Sequence, residues 1–345
     1  MKKILIIIFV VVLSIGLTAC STKSKNSATD GGVYESKNFG ETWTQKVFMN
    51  ETSEGTQTIN DVSTQYMLFD PIDKNTIYLM SQKSGLFKST NQSDQWTRTG
   101  LTSTTKSLLS IDTLNNNVLY IVHGKNILKS VDGGTKWSTI YTESRPGQAL
   151  NSVVVDPFKS NVVYAASTYS LIRSFDYGIT WELLEWTGPK IWKMYRSEKR
   201  PSVFYIWSNT GILISVDGTK TWKNITEEYN KKLSILTLSF DPKSEDFLLG
   251  TKTGIVRSFD SGTTWETVPT LFDFKKVPIS TVVQNPTNTR EIMFSASNKL
   301  HKTDDGGKTW RVFKTVPTSR SINYLIADPY HQNTVYLGTY RAPSK

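Results

Sequence analysis

Ser174-Phe175-Asp176-Tyr177-Gly178-Ile179-Thr180-Trp181 is one copy of an eight-residue pattern, S-x-D-x-G-x-T-W, that recurs along the whole chain. It returns unchanged at residues 258–265. Single changes mark residues 36–43 (Asn38 for Asp), 130–137 (Lys136 for Thr), 215–222 (Thr219 for Gly) and 303–310 (Thr303 for Ser). A seventh copy, residues 89–96, carries Asn91, Ser93 and Gln95. The tryptophans that end the copies, Trp43, Trp96, Trp137, Trp181, Trp222, Trp265 and Trp310, lie 41 to 53 residues apart. A period of that size denotes an array of small supersecondary units.

The pattern has a mechanical reading. An Asp or Asn two residues before Gly, set between apolar runs, closes a tight hairpin. The side-chain oxygen accepts backbone N–H groups, and Gly takes a positive φ. The Trp then begins the returning strand and wedges its ring between units. Asn38, Asp132, Asp176, Asp217, Asp260 and Asp305 are therefore structural residues, as are the seven tryptophans.

Outward from the box, residues 151–156 read as a strand, 157–161 as a turn, 162–167 as a second strand, 171–174 as a third and 181–184 as a fourth. The first turns carry Asp70-Pro71, Asp241-Pro242, Asn285-Pro286 and Asp328-Pro329, where Pro presets φ and cannot donate to a ladder. Four antiparallel strands per unit make the blade of a β-propeller. The last segment supplies a first and a second strand and stops, whereas the segment after Gly31 begins with a third strand, a box and a fourth. Joining the two closes a seventh blade and removes both open sheet edges. The fold expected is all-β: a seven-bladed propeller over residues 31–345, its last blade built from both termini.

These repeats resemble the Asp-box or BNR repeats of sialidase, sortilin-type and GH74-type propellers and of Ycf48-like photosystem assembly factors, and the resemblance spans nearly all of residues 31–345. It implies that boxes lie on the outer, lower rim and that ligands bind at the opposite mouth. A sialidase-like enzyme would carry an arginine cluster and an Arg-Ile-Pro motif. This chain has no such motif, and its ten arginines include only Arg145-Pro146 and Arg200-Pro201 as Arg-Pro pairs. A GH74-like glycosidase acting on extracellular polysaccharide needs two carboxylates facing each other across a cleft, and such enzymes generally place that cleft between two tandem propellers. The acids of the upper connections, Asp61, Glu143, Glu185, Glu227, Glu228 and Asp273, repeat no constellation.

Residues 1–19 read as a signal peptide: Lys2 and Lys3, an apolar core, then Leu17-Thr18-Ala19-Cys20, which resembles a bacterial lipobox. Cys20, the chain's one cysteine, is the expected lipidation site, and residues 20–30 the tether. The protein is thus expected on a cell membrane, lipid-anchored and facing outward, as a monomer. The formal charge of +10 falls to +8 when Lys2 and Lys3 are removed, with 38 Lys and Arg against 30 Asp and Glu. Nucleic acid is not an expected partner, because no such motif is present. No His or Cys spacing fits a metal and no phosphate loop occurs, so neither metal nor cofactor is expected.

Three tryptophans lie outside the boxes, Trp186, Trp192 and Trp207, all in one unit and its entrance. With Tyr195 and Arg145 they form a candidate site for a protein or carbohydrate partner at the upper mouth. The competing reading is packing, because this unit lacks the Asp-Pro turn and has Thr219 where Gly belongs. The function expected is a binding or assembly scaffold, with a glycoside hydrolase as the alternative.

Overall fold

The computed structural model describes residues 30–103, 108–229, 233–270, 272–313 and 315–341. Residues 1–19, with Cys20 and its tether up to residue 29, lie outside the described residues. The chain forms seven four-stranded antiparallel sheets and one separate hairpin, a seven-bladed β-propeller.

Blade 1 joins the termini: its spatial order is Thr44–Gln45, Val33–Ser36, Val335–Tyr340, Ser321–Ala327. Tyr34 faces Leu337 on one side of the seam and Gln45 on the other. Blades 2 to 7 follow in chain order, their innermost strands being Thr64–Phe69, Leu109–Ile111, Leu150–Asp156, Ile191–Arg196, Ile235–Phe240 and Ile279–Asn285. A hairpin absent from the sequence reading, Phe48–Thr52 with Gly55–Thr58, follows blade 1. It is pinned to blade 2 where Trp96 N–H donates to Phe48 O at 2.9 Å.

Each box is a closed circuit. Ser174 Oγ meets Asp176 Oδ1 at 2.7 Å and accepts Gly178 N–H at 2.8 Å, while Thr180 N–H and Oγ donate to the two Asp176 oxygens at 2.8 and 2.6 Å. The divergent copy keeps three of these bonds, through Ser89 Oγ, Ser93 N–H and Gln95 N–H, while the Gln95 side chain donates to Met49 O instead. Two consecutive residues, not Gly alone, adopt positive φ: Tyr177 at 61° and Gly178 at 90°. Gly178 is required by packing as well, since a Cβ there would meet Ile140 Cδ1 of the preceding blade at 2.4 Å. The tryptophan precedes the fourth strand instead of starting it, for that strand begins at Glu182. The first turn is also shorter than expected, and the second strand of blade 4 already starts at Lys159.

The core is divided into apolar clusters between blades, each shared by two neighbouring sheets. At the lower end a belt of polar ties runs round the ring. Asn116 Nδ2 donates to Asp70 at 3.0 Å, Ser160 Oγ to Asp112 at 2.9 Å, Arg196 Nη2 to Asp156 at 3.0 Å and Asn285 Nδ2 to Asn333 Oδ1 at 2.9 Å. Each of these four joins the first turn of one blade to that of the next.

Candidate functional site at the upper channel mouth

First turns and boxes occupy one end of the strands; the connections between blades and the second-to-third-strand turns occupy the other, upper end. The innermost strands line the central channel. In six of them the register shifts near the upper end, after Thr64, Leu150, Ile191, Ile235, Ile279 and Ile322. Such a bulge sets two residues against one and re-aims a side chain. The extra residues are Gln65, Asn151, Trp192, Leu236, Ser280 and Asn323, so a ring of short polar or aliphatic groups is interrupted by one large aromatic.

Trp192 is 40 % exposed and meets Trp207 edge to face, centroids 5.4 Å apart and planes at 83°. Trp207 lies opposite Lys193 on the adjacent strand and packs among the side chains shared by blades 5 and 6. Its indole N–H is buried with no acceptor among the described residues. Tyr195 shares this face, packing on Phe240 of blade 6 at 5.2 Å, and Lys193 Nζ lies 4.6 Å from the Tyr195 ring centroid. Burial raises the Tyr195 phenol and lowers the Lys193 ammonium to about 8.

The remaining two candidates sit elsewhere. Trp186 folds back over Gly188, where a Cβ would strike its ring at 2.6 Å, donates its N–H to Pro189 O at 3.3 Å and packs edge to face on the box residue Trp222, 5.4 Å away. The reason is local. In other boxes an apolar residue of the preceding blade covers the glycine, Ile140 over Gly178, Ile225 over Gly262 and Met293 over Gly40. Thr219, at φ 80°, stands where that glycine belongs, and Trp186 covers the adjacent Trp222 in its place. A depression of about 290 Å³ remains between Trp186, Trp222, Glu185 and Lys220. Arg145 turns onto Glu143, Nε to Oε1 at 2.8 Å and Nη2 to Oε2 at 2.6 Å. The five candidates therefore separate: Trp192, Trp207 and Tyr195 come together, and Trp186 and Arg145 do not join them.

Lys193 was missed by the sequence reading. The signal was available: aligned on their terminal Asp, Ser or Asn, the innermost strands carry Tyr66, Ser152, Thr237, Thr281 and Tyr324 at its position, with Lys in blade 5 alone. Several of these hydroxyl residues tie neighbouring blades. Ser152 Oγ donates to Met194 O at 3.2 Å and Thr281 Oγ accepts Leu325 N–H at 3.0 Å.

Three acids of the upper connections are paired with cations. Glu143 is buried and its carboxyl held low by the Arg145 guanidinium. Glu228 pairs with Lys223 at 3.1 Å and Asp273 with Lys276 at 3.3 Å. Among the described residues no group of three or more His, Cys, Asp or Glu side chains is placed to hold a metal ion.

The sequence matches no family model and no curated protein. Among solved structures the chain is similar to the GH74 enzyme of Niastella koreensis (17% identity, TM-score 0.61), covering 81% of this chain and 51% of that one. It thus spans about half the length of that enzyme. It is also similar to YCF48 bound to D1 peptide (16% identity, TM-score 0.60, 82% and 94% covered) and to YCF48 from Cyanidioschyzon merolae (13%, 0.60, 81% and 96%). At these identities the likeness concerns the propeller fold.

Proposed function

We propose that this chain is an outward-facing binding or assembly scaffold, held to the membrane through lipidated Cys20, whose upper channel mouth receives a protein or glycan partner. The observation that carries the reading is Trp192. The repeat puts small or flexible side chains at the bulge, and only blade 5 has an indole there, 40 % exposed and braced by Trp207. An aromatic platform beside a few polar groups at the end of a channel is a recognition surface. The similar YCF48 structure holds a peptide, which is in keeping with a propeller serving as a binding platform.

A glycoside hydrolase finds less support. Its general acid must have a raised pKa and a partner carboxylate within about 10 Å, whereas at the upper end Glu143 is held low by a bidentate arginine, and the described carboxyls that burial raises, Glu198 and Asp246, lie in first turns at the lower end.

The experiment is a comparison of parent and Trp192→Ala, both membrane-anchored, in cross-linking pull-downs and on a glycan array. Loss of a specific partner or glycan with melting shifted by less than a few degrees is expected. Unchanged capture by Trp192→Ala would overturn the assignment of the mouth.

A further inference from the structure

The seven innermost strands contain three charged side chains: Asp156, Lys193 and Arg196. Two of them pair, Arg196 Nη2 lying 3.0 Å from Asp156 Oδ2 with both side chains buried. Arg196 also donates to the carbonyls of Arg200 and Val203. That leaves Lys193 as the one cation of an innermost strand with no carboxylate and no hydrogen-bond acceptor among the described residues. Its recorded neighbour is the Tyr195 ring, 4.6 Å from Nζ. Tyr195 is also the titratable group on its own face of the strand, and the Phe240 ring packed there from blade 6 is neutral.

A charge in such a place is expensive for the fold unless something meets it. Apolar packing would be served by Leu or Met. A tie to the next blade is made elsewhere by Ser152 or Thr281 without charge. Lys193 makes no such tie, and its half-buried ammonium is left without an anion among the described residues.

Its surroundings narrow the ligand. The bulge after Ile191 sets Trp192 and Lys193 together against Trp207, so an exposed ring face and a cation share one side of the strand. Around the same mouth stand Gln65 and Ser280, with the side-chain oxygens of Asn151 and Asn323, whose amide N–H groups donate to Ile191 O and Thr64 O, both at 2.7 Å. An indole face beside neutral hydrogen-bonding groups suits a hydroxylated ring, and a single ammonium suits one anionic substituent on it. We infer that the upper end of the channel between blades 5 and 6 binds an acidic saccharide, its ring on Trp192 and its carboxylate on Lys193. The inference rests on the reading of the mouth as a binding surface and specifies its ligand.

The test measures binding of digalacturonic acid, its neutral methyl ester and triglycine with a free C-terminus to the parent protein and to Lys193→Gln, Lys193→Arg and Trp192→Ala. The acid should bind the parent at least about tenfold more tightly than the ester. Lys193→Gln should remove that preference and Lys193→Arg retain it, while Trp192→Ala should weaken both sugars. Equal binding of acid and ester overturns the anionic inference and leaves the mouth assignment standing. Binding of triglycine alone overturns the saccharide class. No binding of any probe overturns the inference outright, and the capture experiment with Trp192→Ala then decides the mouth assignment separately.

Discussion

The Arg196 guanidinium reaches from blade 5 to the Asp156 carboxylate of blade 4, 3.0 Å away, and stacks 4.2 Å from the centroid of the Phe204 ring. Blade 5 has no Asp-Pro turn, and its Arg196 donates where the other ties given use a neutral amide or hydroxyl donor. On its other flank Arg200 Nη2 meets the buried Glu245 at 2.5 Å, and Glu245 also accepts from Ser197 and Ser261. The irregular blade is therefore held at its lower end by two ion pairs, one to each neighbour.

Arg196→Met should destabilise the protein by about 3–5 kcal/mol, because it strands the Asp156 charge in the interior. Asp156→Asn added to it should recover part of that loss. Urea denaturation of the two variants and the parent checks both statements.

Thr219 occupies a left-handed conformation at φ 80° that a β-branched residue resists. Thr219→Gly should stabilise by about 1 kcal/mol, the hydrogen bond from its backbone N–H to Ser215 Oγ being kept. A lower melting temperature would show that the threonine side chain contributes more through packing than its backbone loses.

Acid should weaken the boxes. The Thr180 hydroxyl and N–H, with Ser174, hold the Asp176 carboxyl at about 2, and the same bonds from Thr221 and Thr309 lower Asp217 and Asp305. A folded pKa below the unfolded value means that this stabilisation is complete above about pH 4 and is lost as pH falls through the folded values. Asn38 already shows an uncharged box, accepting Thr42 N–H and donating to Thr42 Oγ, both at 2.9 Å. Asp176→Asn should thus melt like the parent at pH 7 and lose less between pH 4 and 2.

Lys193→Met should raise stability at pH 7. The folded ammonium titrates near 8 through burial, so the unfolded chain binds more protons between about pH 8 and 10.5 and stability rises with pH across that window. The gain from methionine is on the order of 1–2 kcal/mol, limited by the partial hydration of the side chain, and should vanish above about pH 10.5. Urea titrations at both pH values give the answer.

Removing the chain from Val335 onward takes away the strand that pairs with Val33–Ser36 on one side and Ser321–Ala327 on the other. Cooperative unfolding should be lost, with aggregation through the exposed edges. For the proposed anchor, Cys20→Ser should release the protein from the membrane fraction or leave it unprocessed; identical fractionation and migration would count against lipidation.

The box spacing was enough to place seven hairpins, and the two incomplete end segments were enough to close the ring, because both depend on contacts within about ten residues or on complementary halves of one blade. Even the divergent copy at residues 89–96 follows, since Ser89 and Asn91 supply the same acceptors to the backbone N–H groups of Ser93 and Gln95. Composition also singled out blade 5 through its three additional tryptophans. What those rings do is decided only between blades. Trp186 and Trp192 are six residues apart, yet one is drawn onto Trp222 beside a misfit threonine and the other is turned toward Trp207 by a bulge. Arg145 is taken by Glu143, two residues away, and Arg196 by Asp156, forty residues away. Those pairings leave Lys193 with the Tyr195 ring but no carboxylate among the described residues. A strand's periodicity fixes which side chains share a face, while the charge that remains free depends on which strands the ring brings side by side.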